Sequence, residues 1–234
     1  MIEEILPAGV VSVEAFDDRV LEQLGPGAGL FPEEAKVVAL ATPLRQQQFA
    51  TVRVCARRAL SRLGVPAVPV LPNRRGAPQW PDGILGSMTH CDGYRAAAVA
   101  RSTDTFAIGI DAEPHRPLPA GVLPSISLPR ERQWVRELGA REPGVVWERL
   151  LFSAKESVFK AWYPLTGLEL EFEEAEITMD PGKGAFSARL VPAGPVVGGR
   201  KLRGFSGRWL VRNGLIVTAV TLPRIQARLA SHGL

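Results

Sequence analysis

Asp111 and Glu113 stand two residues apart at the end of an apolar run, Phe106-Ala-Ile-Gly-Ile-Asp-Ala-Glu113. On a strand, alternate residues project from one face, so both carboxylates can point the same way and share a divalent cation. Downstream, Phe152-Ser-Ala-Lys-Glu-Ser-Val-Phe-Lys160 supplies Glu156 and Lys160. Four apart on a helix, these share a face and add a third carboxylate beside an ammonium. Three carboxylates with a cation nearby suit magnesium and phosphate chemistry. Each segment alone also fits something plainer. Asp-x-Glu suits a solvated turn, and Glu156 with Lys160 suits an ordinary helix-surface pair worth about 0.3 kcal/mol. Gly109, costly inside a β-prone run, marks a close backbone approach such as a ligand site needs.

A second set of polar groups lies upstream, in Gly86-Ser-Met-Thr-His-Cys-Asp-Gly93. Read as a small-residue loop, it offers Ser87, Thr89 and His90 as donors to a phosphate. Cys55, His90, Cys91 and His115 do not have the ligand spacing of a zinc site. Gly194-Pro-Val-Val-Gly-Gly-Arg-Lys201 fails as a P-loop, because Arg200 takes the lysine position and no Ser or Thr follows Lys201. Of the 28 Lys and Arg residues only five are lysines, and Lys155 and Lys160 both fall in the segment that carries Glu156. A compact ammonium placed there twice suits a phosphate.

These side chains need elements to hold them. The spacing predicts a helix over 32–63, opened by Pro32, Glu33 and Glu34, closed by Gly64 and Pro66, with a break at Thr42-Pro43. From Leu44 onward Phe49, Val52, Ala56, Ala59 and Leu63 form its apolar stripe, with Arg45 and Arg53 off it. The start of the chain and the stretch from Pro66 to Gly86 read as irregular. Ala96 to Ala100 and Thr105 to Ile110 read as a hairpin joined by Arg101-Ser-Thr-Asp104, whose second strand delivers Asp111 to a rim. A short helix is expected over 130–138 and a longer one over 145–162, stopped by Pro164 and Gly167. Runs at 175–179, 185–191, 205–211 and 215–222 read as an antiparallel sheet. The order helix, strands, helix, strands predicts an α+β protein of two similar halves, 1–105 and 106–234, with the site in the cleft between them.

Composition narrows the function. A chain of 234 residues with 46% hydrophobic and 22% charged content can bury a substantial core. No run approaches a membrane span, and Met1-Ile-Glu-Glu has acids where a signal peptide needs a basic flank, so a cytoplasmic protein with no membrane partner is expected. Cys55 and Cys91 read as reduced, mostly buried thiols. The net charge of +4 does not gather into the blocks or stripe of a nucleic-acid surface, and an acidic protein partner is equally compatible.

Together the motifs resemble the 4′-phosphopantetheinyl transferases, in the larger, surfactin-type group. Ile108-Gly-Ile-Asp-x-Glu113 and Phe152-Ser-x-Lys-Glu-Ser-x-x-Lys160 match the two family signatures in order, and Thr89-His90 lies upstream. Trp80-Pro-Asp-Gly83, Asp111-Ala-Glu-Pro-His115 and Lys160-Ala-Trp162 look most like the actinobacterial branch that serves lipid, polyketide, nonribosomal peptide and siderophore synthases. The resemblance implies transfer of the 4′-phosphopantetheine group of coenzyme A to a serine of an apo carrier protein, releasing 3′,5′-adenosine bisphosphate. It implies magnesium, or manganese, held by Asp111, Glu113 and Glu156. It implies phosphate contacts from Thr89, His90, Lys155 and Lys160, and coenzyme A contacts from Arg45, Arg53 and Arg75. Glu156 and Lys160 then carry the chemistry, an acidic carrier is the partner, and fused halves suit a monomer. A magnesium-dependent nuclease or phosphohydrolase is the alternative, since the same carboxylates suit metal-activated water.

Overall fold

The computed structural model describes residues 1–24, 29–191 and 193–224. The first half runs β1 (Val11–Ala15), α1 (Arg19–Leu24), α2 (Pro32–Val37), α3 (Pro43–Arg62), β2 (Ile84–Cys91) and β3 (Tyr94–Arg101). The second runs β4 (Thr105–Pro114), α4 (Val122–Ile126), α5 (Pro129–Arg141), α6 (Trp147–Thr166), β5 (Ala175–Asp180), β6 (Ala185–Leu190), β7 (Val196–Val197), β8 (Arg200–Lys201), β9 (Gly204–Arg212) and β10 (Leu215–Pro223). Described strands form an antiparallel three-stranded sheet, β1-β3-β2, an antiparallel five-stranded sheet, β4-β10-β9-β6-β5, and the β7-β8 hairpin. The architecture is α+β, and each large sheet carries one 20-residue helix.

The break at Thr42-Pro43 is present. Thr42 caps α3 by accepting a hydrogen bond from the Arg45 amide at 3.3 Å, and Pro43 takes the first helical position, where a missing N–H costs nothing. Cys55, Ala56, Ala59 and Leu60 of α3 pack on Ala97 and Val99 of β3. The alternate residues of β3, Ala96, Ala98 and Ala100, face the other way. They share a core with Ile108, Ile110 and Ala112 of β4 and Leu215, Val217 and Ala219 of β10. An alanine-rich strand buried on both faces lets the second sheet approach closely, so the halves meet through a common core.

On β4 the same alternation turns Ala107, Gly109, Asp111 and Glu113 away from that core and toward α6. Gly109 is required there, because a Cβ would lie 1.9 Å from the Ser157 carbonyl oxygen. The close approach read from Gly109 is therefore that of a helix, and no ligand is needed to explain it. At its end α6 runs past Pro164, within the last turn, and stops at Gly167, whose φ of 67° is the left-handed cap.

Several expectations are corrected. β3 and β4 are not a hairpin: β3 pairs with β1 and β2, while β4 pairs with β10 from Leu215 onward. The irregular start contains β1, and the supposed loop at Gly86–Gly93 is largely strand β2, so His90 sits on a strand. Small polar residues disguise β2 because its hydroxyls have another task. Ser87 Oγ accepts from the Ile110 amide and Thr89 Oγ1 from the Ala112 amide, both at 3.0 Å, so two side chains stitch β2 to the free edge of β4. Leu44, placed on the buried stripe of α3, is 60% exposed, and Arg53, placed off it, is buried. Both cysteines are free thiols. Among the described residues no helix is long and apolar enough to cross a membrane.

Candidate active site

Asp111 and Glu113 project from one face of β4 onto one face of α6. Lys160 Nζ donates to Asp111 Oδ1 at 2.7 Å and to the Ile110 carbonyl at 3.2 Å. One end of the same helix face carries Arg149, whose guanidinium donates to Glu113 Oε2 at 2.8 Å. Glu156 lies between them in sequence and is half-buried. Asp111 is 4% exposed, and its Oδ2 is buried without a hydrogen-bond partner among the described residues. Burial, then the charge of Asp111, pushes the Glu113 carboxyl up to about 7, and the same two causes in the same order raise that of Glu156. The Asp111 charge thus acts on both other carboxyls, while Arg149 pairs with Glu113 and Lys160 with Asp111.

An orphaned carboxylate oxygen flanked by two carboxyls of raised pKa is what a divalent cation would relieve. The donor set is all oxygen, which suits magnesium or manganese. Among the described residues no group of three or more His, Cys, Asp or Glu side chains is placed to hold a metal ion by itself, so a cation here would take further ligands from water or substrate. Magnesium accepts such sites, since it keeps waters and takes oxygens from a bound phosphate. The residues present fit the metal.

Beside the acids lies a positively charged rim. The His90 ring meets the Arg45 guanidinium. Desolvation, then the charges of Arg45, Lys160, Arg95 and Arg53, push His90 down to about 4, so the imidazole is neutral near pH 7. Arg53, held over the Phe49 ring at 3.6 Å and donating to the Val70 carbonyl at 3.3 Å, is itself lowered to about 10 by burial. Repelling cations gathered in one place await an anion. From Glu156 and Lys160 an apolar cavity of about 270 Å³ runs between the halves, walled by Trp80, Leu85, Met88, Phe159 and Tyr163.

Comparison with known proteins decides the identity. Residues 33–100 match the 4′-phosphopantetheinyl transferase N-terminal domain, and residues 107–196 match the 4′-phosphopantetheinyl transferase superfamily. This chain belongs to the 4′-phosphopantetheinyl transferases. It is 61% identical to the transferase Svp of Streptomyces mobaraensis, over 95% of this chain and 89% of Svp. It is 47% identical to Npt of Nocardia iowensis, over 94% of this chain and 99% of that protein. It is 44% identical to PptT of Mycobacterium tuberculosis, over 93% of this chain and 98% of that protein. The nuclease or phosphohydrolase alternative finds no support in these relationships.

Within this transferase, two residues expected at the phosphates are placed otherwise. Lys155 points to the far side of α6, where it pairs with Glu131 at 2.8 Å and donates to the Phe172 and Ala175 carbonyls at 2.5 and 2.9 Å. Its donors are spent in a buried structural cluster. Thr89 is 2% exposed; it accepts from Ala112 and donates to Asp111 Oδ1 at 3.3 Å, which leaves no proton for a phosphate. Arg75, expected at coenzyme A, lines the apolar cavity and pairs with Glu169, which lines it too. Arg149 is the residue that sequence reading missed. It precedes Glu156 by seven and Lys160 by eleven, which is the stepping of one helix face, and that signal was available.

Proposed function

We propose that this transferase attaches the 4′-phosphopantetheine group of coenzyme A to a serine of an apo carrier protein and releases 3′,5′-adenosine bisphosphate. The observation that carries the reading is the convergence on Asp111, whose buried Oδ2 has no partner while the neighbouring carboxyls of Glu113 and Glu156 are both raised. Asp111, Glu113 and Glu156 would hold magnesium or manganese against the pyrophosphate. A cation bound there supplies Lewis-acid polarisation and a template for the phosphates.

The chain's own residues supply the rest. Arg45 and Arg53 supply positive charge for the remaining phosphate, the neutral His90 imidazole beside Arg45 offers it a hydrogen bond, and the apolar cavity takes the pantetheine arm. In the transfer, the serine oxygen bonds to the pantetheine-side phosphorus as the bond to the adenosine bisphosphate oxygen breaks. Glu156, half-buried at the edge of the acid site, takes the serine proton. Lys160, at the mouth of the cavity beside Asp111, offsets the charge that builds on the leaving phosphate. The net charge of +4 steers acidic carriers toward the cleft. One chain holds the whole cleft, in keeping with a monomer divided near residue 105 and working in the cytoplasm, where coenzyme A and apo carriers meet.

The nucleophile tests this. Coenzyme A incubated with the enzyme, magnesium and an apo carrier should release adenosine bisphosphate in one-to-one proportion to carrier modified. Release at the same rate without carrier would make water the nucleophile and overturn the reading.

A further inference from the structure

We infer that Thr89 is a positioning residue for the acid site, fixing the rotation of the Asp111 carboxylate so that Oδ2 faces the cation. This rests on the reading of Asp111 as a metal ligand. A threonine hydroxyl has one proton and accepts through its lone pairs. The Ala112 amide, 3.0 Å away, is a donor, so Thr89 Oγ1 must act as acceptor toward it. Its single proton is then available for Asp111 Oδ1, 3.3 Å away. That oxygen also receives Lys160 Nζ at 2.7 Å. Both donors thus grip one oxygen of the carboxylate, and the other is left buried and bare. Turning the carboxylate out of this position would strand two donors, one of them charged, so its rotation is fixed.

The same hydroxyl is half of the seam between the two sheets. Ala112 separates Asp111 from Glu113, and its amide is the one that Thr89 holds. The register of β2 on β4 is therefore tied directly to the orientation of the ligand carboxylate. Ser87 supplies the internal comparison. It makes the same kind of seam bond, to the Ile110 amide at 3.0 Å, but among the described residues it hydrogen-bonds to no carboxylate. Outer partners that orient a metal's ligands commonly account for about 10- to 100-fold in affinity.

Mn²⁺ titrated into the full-length enzyme, with and without coenzyme A and followed by loss of the free-ion EPR signal, separates the two hydroxyls. Thr89→Val should weaken Mn²⁺ by about tenfold or more, whereas Ser87→Ala, which strands an equivalent amide, should change it by less than about twofold. Both variants should lower the melting temperature, since each breaks one seam bond. Thr89→Ser keeps the hydroxyl and should bind Mn²⁺ as the parent does, an arm that survives even if the valine variant does not fold. Equal weakening in Thr89→Val and Ser87→Ala, unchanged affinity in Thr89→Val, or lost affinity in Thr89→Ser would overturn the inference. If the parent enzyme binds no Mn²⁺ in either condition, the metal reading itself falls.

Discussion

Lys155 and Glu131 form an ion pair at 2.8 Å in which each side chain is 1% exposed. Glu131 also accepts from the Leu128 amide at 2.8 Å and the Ile177 amide at 2.7 Å, so the pair joins α5, α6 and the start of β5. Burial lowers the Lys155 ammonium from its ordinary value, and the hydrogen bond to Glu131 opposes that shift. Removing one partner of a buried pair leaves an uncompensated charge, at a cost of about 3–5 kcal/mol. Lys155→Met should therefore show that loss in urea denaturation, while the KM for coenzyme A of the folded enzyme stays within about twofold of the parent's, as fits an ammonium whose donors are taken by Glu131 and two carbonyls.

Glu156 carries the opposite expectation. It is half-buried at the edge of the acid site, and its replacement should leave the fold intact. General-base removal commonly costs about 10²–10⁴-fold. Glu156→Ala should lower carrier modification by that order with an unchanged circular dichroism spectrum and melting temperature.

Gly109 links the two elements that hold the acids. A methyl group there would meet the Ser157 carbonyl at 1.9 Å and the Ala161 amide nitrogen at 2.7 Å, both backbone atoms of α6. Gly109→Ala must push α6 away from β4, and overpacking of this kind costs about 1–3 kcal/mol or more. Because Lys160 and Glu156 ride on α6 while Asp111 and Glu113 ride on β4, activity measured on the folded protein should fall along with denaturation midpoint.

His90 provides a pH signature. In the free enzyme its pKa lies near 4, below the ordinary 6.5, through desolvation and then the charges of Arg45 on α3, Lys160 on α6, and Arg95 and Arg53 on β3 and α3. A folded pKa below the unfolded one gives stability that is complete above pH 6.5 and is lost as pH falls toward 4. A bound phosphate reverses the local sign and raises the imidazole pKa. Coenzyme A binding should then take up protons between pH 4 and 6.5, seen as an upward shift of the His90 imidazole titration by NMR.

Much of this arrangement was legible in the sequence, and the failures have physical causes. The alternation Ile108, Ile110, Ala112 against Gly109, Asp111, Glu113 reported one face of a strand, and the second signature reported one face of a helix, because both periodicities are local. Strand β2 was missed because Gly86 and Ser87 interrupt the usual run of bulky strand formers: Gly86 makes room for Trp80, and Ser87, with Thr89, serves the seam with β4. The β3–β4 hairpin was misread because the true partner of β4 is β10, more than a hundred residues away, and a short connection looks the same whether or not its strands pair. Lys155 was read as a phosphate ligand because it stands in the second signature beside Glu156. What decides its role is Glu131 on another helix, a tertiary fact.

The acid site on β4 and α6 should drive phosphopantetheine transfer to a carrier serine. Intact-protein mass spectrometry of an apo carrier incubated with the enzyme, coenzyme A and magnesium tests it directly, with parallel samples containing EDTA or the Glu156→Ala enzyme. One phosphopantetheine should be added per carrier at a single serine, with the addition abolished by EDTA and reduced by orders of magnitude in the variant. A carrier that gains no mass, or one modified equally in EDTA and by Glu156→Ala, would contradict it.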